Sequence, residues 1–162
     1  MNRSHLALAG RIRQDLAELE RIVDRARHAW ERAVATADDC YVDSVALNLH
    51  SFYTACESIF EQVASSFDKA PVEGKNWHQE LLRQMAAEIP LVRSAVISVE
   101  SRKYLDELRG FRHVVRNIYA FNLNPAKIEP LVTNLPVVFA RLTNEISTFL
   151  DGIETNGRED HA

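Results

Sequence analysis

The sequence predicts an all-α, single-domain, up-and-down bundle of four or five antiparallel helices, and three observations lead there. Glycine and proline are scarce, at five each in 162 residues, and each costs a helix interior about 1 or about 3 kcal/mol relative to alanine. Apolar residues recur at spacings of three and four over long stretches, the period of one helix face. The segments between those stretches are short, which makes successive helices antiparallel neighbours. A chain of this length, 46% hydrophobic and 26% charged, suffices for one core and is short for two.

Residues 4–35 predict the first helix, with Leu8, Ile12, Leu16, Leu19, Val23, Ala26 and Trp30 on its inner face. Asp38 and Asp39 are cap candidates for a second helix over 40–67, because a side-chain oxygen there accepts a free backbone N–H. Its apolar face carries Val42, Val45, Leu49, Phe52, Cys56, Ile59, Phe60 and Val63. Residues 68–76 contain proline, glycine and asparagine and read as a loop. A third helix is expected over 77–88, stopped by Pro90, with 91–97 as a connector. Ser98 caps a fourth helix expected to last to Phe121, and Glu100 sits against its positive end. Asn124 and Pro125 form a strong start signal for the fifth element, expected to run to Gly152 with breaks or kinks at Pro130 and Pro136. Residues 1–153 thus form the bundle, and the polar residues 154–162 are expected to be a disordered tail.

The formal net charge of −4 gives the surface no general attraction for nucleic acid or acidic lipid, so any basic site must be local. Cys40 and Cys56 are isolated thiols, and no histidines or cysteines stand at a chelating spacing with a carboxylate; neither a disulfide framework nor a metal site is expected. No cofactor motif is present: the chain has no glycine-rich phosphate loop and no nucleophile elbow. The charged start and the lack of any long apolar run lead us to expect a reduced, cytoplasmic protein with no leader and no membrane span.

One helix concentrates basic charge. Residues 102–116 carry five basic residues against two acidic ones, a segment of +3 in a chain whose remainder sums to −7. At about 100° per residue, Leu108, Phe111, Val114, Val115, Ile118 and Phe121 form the core side of this helix. Arg109, Arg112, His113 and Arg116 cluster on the other side, flanked by Asn117 and Tyr119. Such a face is often only solvated or salt-bridged to a neighbouring helix. Here like charges repel without an interspersed acid, and a compensating anion is expected, phosphate fitting the guanidinium fork well. On the second helix, His50, Tyr53 and Glu57 stand three and four apart and could orient those arginines, with edge packing as the simpler expectation. Trp77 is expected in the core, and His78 beside it is given no role.

The stretch LDELRGFRHVVRNIYAFNL (105–123) resembles the motif helix of HepT-like HEPN proteins, as do LHSFYTACESIF (49–60) and NWHQELLRQM (76–85). The resemblance covers about residues 40–135. It implies a helical HEPN bundle that dimerises and cuts RNA without a metal, as the toxin of a pair whose antitoxin is a nucleotidyltransferase. The family motif is an arginine, a polar residue, spacers, a histidine and, two residues on, a tyrosine. It maps Arg112, His113 and Asn117 onto the catalytic positions and Tyr119 onto the tyrosine; Arg109 and Arg116, from the same basic face, are the candidate phosphate contacts. Asn117 departs from the family histidine and cannot act as a general acid or base. His113, the imidazole on this face, is the substitute. Tyr119 is the expected acceptor of adenylate groups from the partner. Two further readings stay open: a non-catalytic homodimeric HEPN subunit that binds RNA, a nucleotide or the nucleotidyltransferase, and a generic helical interaction protein.

Overall fold

A computed structural model describes residues 3–69, 72–117 and 122–159. Among them are five α-helices and no strand: α1 (Arg3–Thr36), α2 (Cys40–Val63), α3 (Trp77–Met85), α4 (Val99–Asn117) and α5 (Pro125–Glu159). The predicted all-α single-domain bundle is what the chain forms. No helix among the described residues is long and apolar enough to cross a membrane.

α2 is the central element. It packs against α1, α3, α4 and α5, which is why it has the richest apolar face of the five. Leu49, Phe52, Cys56, Ile59, Phe60 and Val63 are all closed to water, and each large side chain so buried contributes about 1.5–3 kcal/mol. α1 meets this face with Leu8, Ile12, Leu16 and Leu19, and α5 with Ile128, Leu135, Leu142 and Ile146. Polar ties sit at the rim: Gln62 Nε2 donates to Asp15 at 2.9 Å, and Arg13 on α1 pairs with Asp151 on α5 at 2.8 Å.

Three of the expected side-chain caps form, whereas Asp39, directly before α2, makes no capping hydrogen bond. Asp38 Oδ1 accepts the Cys40 N–H at 2.9 Å, Ser98 Oγ the Ser101 N–H at 3.2 Å, and Asn124 Oδ1 the Ala126 N–H at 3.0 Å. Several boundaries differ from expectation, each for a local reason. α2 gives way at Ala64–Asp68 to one π-helical turn, closed by Lys69 in the left-handed region, whose N–H bonds the Ala64 carbonyl. α3 stops at Met85, short of residue 88, because the connector folds back and donates two N–H groups, from Val96 and Ile97, to the Met85 carbonyl. α5 runs as one helix through Pro130 and Pro136. Its packing on α1, α2 and α4 outweighs the lost backbone bonds, and the buried Tyr104 hydroxyl donates to the Leu131 carbonyl at 2.7 Å between the two prolines. The helix also continues to Glu159, through part of the segment expected to be a disordered tail; residues 160–162 lie outside the described residues, as do Ile118, Tyr119 and Phe121 at the expected end of α4.

Candidate functional site

α4 enters the bundle with Ser101, Leu105 and Leu108 buried on one line. Arg112 lies one turn beyond Leu108 on that line, so the helix carries it inward, leaving its side chain 18% exposed. It does not stand among solvated arginines as the helical wheel implied. Its surroundings come from two other helices: Tyr53 and Glu57 from α2, and His78 from the start of α3.

Glu57 is the hub. Its carboxylate, 8% exposed, accepts the Tyr53 hydroxyl on Oε2 at 2.8 Å, and His78 Nδ1 lies 2.5 Å from the same oxygen. Arg112 Nη1 stands 3.9 Å from Glu57 Oε1 and 3.4 Å from His78 Nε2. The guanidinium carbon is 6.0 Å from the Tyr53 ring centre. A buried carboxylate is costly unless hydrogen-bonded and paired, and these contacts meet that need. The Trp77 indole lies against the imidazole of His78, ring centres 3.6 Å apart, fixing the plane of the ring. Trp77 is itself part-buried against the core, as expected.

Charge is unevenly satisfied. Burial, then the Glu57 charge, pushes the Tyr53 phenol far above its ordinary range, so it stays a neutral donor. Burial and the positive charges of Arg112 and Arg116 lower His50. Desolvation and the neighbouring Glu57 raise Glu61. Arg112 Nε is buried and, among the described residues, has no hydrogen-bond partner; such a donor in a native site calls for an explanation.

The other sequence candidates fall elsewhere. Arg109 is neutralised within α4, its Nε donating to Asp106 Oδ1 at 2.8 Å. His113, Arg116 and Asn117 are exposed. Asn117 Nδ2 donates to the His113 carbonyl at 2.6 Å and lies 3.4 Å from His113 Nδ1. So the structure groups Arg112 with α2 and α3, and groups His113 with Asn117 on the outer surface. Acids do answer these arginines, Glu57 and Asp106. Val114, expected on the core side, is 44% exposed; among the described apolar residues of α4 beyond Leu108, only Phe111 and Val115 are partly covered. Tyr119 lies outside the described residues. Beside the site, α3 and α4 leave a cleft of about 200 Å³ lined by Gln79, Leu82, Arg83, Arg102, Lys103 and Asp106. The side chains of Asp38, Asp39 and Cys40 come close together, but all face water and serve the start of α2.

Sequence reasoning left His78 without a role and ranked edge packing first for Tyr53 and Glu57. The usable signal was Glu57 itself, a charged residue on the buried face of α2, which demands a partner. The partner's identity was not readable, since His78 and Arg112 are brought to it from 21 and 55 positions away in the chain.

A family model described as HepT-like protein matches residues 44–153. The chain belongs to the HepT-like family. The match takes in most of α2, all of α3 and α4 and α5 as far as Ile153, hence Tyr53, Glu57, His78 and Arg112 together. The whole of the N-terminal helix α1 precedes it. Searches of the curated proteins and of the solved structures found no match.

Proposed function

We propose that this HepT-like protein is an endoribonuclease of the HEPN type, acting as a homodimer with Arg112 at the scissile phosphate. The observation that carries the reading is the position of Arg112: a part-buried guanidinium at the edge of a polar pocket, with an Nε–H that has no partner among the described residues and a histidine beside it. A phosphate oxygen is the acceptor such a fork suits best. The nucleophile is the RNA's own 2′-hydroxyl, so the step requires no metal-activated water. Arg116 and Arg109 on the same helix, with Arg102 and Lys103 in the neighbouring cleft, offer further contacts to the backbone on either side. Two copies of this short basic face, brought together about a two-fold axis, make a groove of useful length.

In this reading the protein is a toxin, and its antitoxin is a nucleotidyltransferase that adenylates Tyr119. The phosphodiester so formed would bring negative charge to the arginines and exclude RNA from them. A second reading, a non-catalytic HEPN subunit that binds RNA, a nucleotide or the nucleotidyltransferase, is favoured by Asn117 in place of the family histidine. Expression in a bacterium, with and without a co-expressed nucleotidyltransferase partner, separates the two. Growth arrest that needs Arg112 and is relieved by the partner, with adenylate-sized mass increments that vanish in Tyr119→Phe, is expected. Growth unaffected by the wild-type chain favours the second reading.

A further inference from the structure

His78 and Glu57 form a pair that neither the family motif nor the sequence assigned. Their arrangement has the three parts of an activated imidazole: a carboxylate on Nδ1, a ring held flat by a neighbour, and Nε2 turned to the reacting group. Glu57 supplies the first at 2.5 Å and Trp77 the second. The third is Nε2, 3.4 Å from Arg112 Nη1, on a side chain 27% exposed. A carboxylate on Nδ1 selects the tautomer with its proton there, leaving the Nε2 lone pair to accept. The contact to Arg112 is too long to hold that lone pair firmly. A phosphate that draws the guanidinium toward itself frees it beside the substrate.

Resting on the ribonuclease reading above, we infer that His78 is the proton acceptor of this site and Glu57 its positioning residue, in place of Asn117. His113 lacks the same equipment. It is exposed on α4, and among the described residues the side chain beside its ring is the amide of Asn117, not a carboxylate. In the reaction, the 2′-hydroxyl proton passes to His78 Nε2, the 2′-oxygen bonds the adjacent phosphorus, and the bond from phosphorus to the 5′-oxygen breaks. The 5′-oxygen takes a proton from water, and the hydroxide left behind takes the proton held on His78. The products are a 2′,3′-cyclic phosphate and a 5′-hydroxyl.

The charged groups facing His78 are Glu57 and Glu61 from α2 and Arg112 from α4. Only a neutral imidazole can accept the proton. Removing the Glu57 carboxylate takes away the group that bonds Nδ1, so the pH profile of the rate should change.

The test is single-turnover cleavage of an RNA oligonucleotide pool by the full-length wild type, His78→Gln, Glu57→Gln, His113→Gln and Arg112→Ala, each checked for folding by thermal melting. A positioned general base contributes about 10²–10⁴-fold, and His78→Gln is expected to lose rate in that range with RNA binding retained. His113→Gln should stay within a few fold of wild type. A further variant, His78→Ala, should regain part of the rate with added imidazole, and Glu57→Gln should change the pH profile of the rate. If His78→Gln does not fold, the Glu57→Gln profile decides. An unchanged profile, or full rate in folded His78→Gln alongside an inactive Arg112→Ala, overturns the role of His78 and leaves the ribonuclease reading standing. Wild type that cleaves no RNA in the pool overturns both.

Discussion

Arg93 and Asp68 form an ion pair almost closed to water, Nε to Oδ1 at 2.7 Å and Nη2 to Oδ2 at 2.8 Å, with side chains 1% and 2% exposed. The other guanidinium N–H groups reach the carbonyls of Gln84, Ala87 and Ser94 at 3.0–3.1 Å, so all five donors are used. The pair fastens the turn after α2 to the connector after α3, and thereby holds the short helix that carries His78. Breaking a buried pair leaves an uncompensated charge and costs about 3–5 kcal/mol. Asp68→Ala is expected to lower stability by that order in urea unfolding at unchanged m. A loss below about 1 kcal/mol would show that the turn relaxes and admits water.

Arg112→Ala carries a stability cost that its place in a basic stretch did not suggest. As a surface substitution it would change stability by no more than about 0.5 kcal/mol, the expectation for Arg116→Ala. With Glu57 left buried beside it, Arg112→Ala should cost about 1–3 kcal/mol. Glu57→Gln in the same chain should recover most of that. Denaturant midpoints of the two single variants and the double variant measure the coupling.

Much of the fold was legible and much of the site was not. The helical period named the buried faces of α1 and α2, and Asp38, Ser98 and Asn124 marked three helix starts, because those signals are local. The end of α3 at Met85 and the unbroken α5 depend on a returning connector and on neighbouring helices, which no window along the chain contains. Arg112 was singled out by charge and by family resemblance, yet a wheel drawn from residue types put it with the solvated arginines. Its inward turn follows from its register with Leu105 and Leu108, and from Glu57 waiting on another helix. His78 lies in a stretch that resembles the family, but only the assembled bundle sets it against Arg112.

His50 gives the site a pH signature. Its folded value is lowered from 6.5 by burial first, then by Arg112 and Arg116. Above 6.5 the ring is neutral in folded and unfolded chains and adds nothing. As pH falls below 6.5 the unfolded chain takes up the proton first, so stability declines until pH passes the folded value. His50→Gln is expected to flatten this part of the stability–pH curve. Saturating RNA or inorganic phosphate, by neutralising the two arginines, should raise the His50 value in an NMR titration; an unchanged value would place the anion elsewhere.

Homodimerisation has a local test at the end of α4. Val114 is exposed beside the half-covered Phe111 and Val115, a small apolar patch next to Arg116. With that patch in the two-fold contact, Val114→Glu should convert the dimer to a monomer by light scattering at micromolar concentration, and leave the thermal melt of the bundle cooperative. A wild type that is already monomeric there, or a Val114→Glu dimer, counts against the contact.

The most direct measurement of the central claim is cleavage of RNA by purified protein in excess EDTA, comparing wild type with folded Arg112→Ala. Products ending in 2′,3′-cyclic phosphate are expected from the wild type, unaffected by the chelator, with a loss of at least about 10²-fold in Arg112→Ala, the scale of removing one charge-stabilising donor. Cleavage that disappears with EDTA, or that survives intact in Arg112→Ala, would contradict that claim.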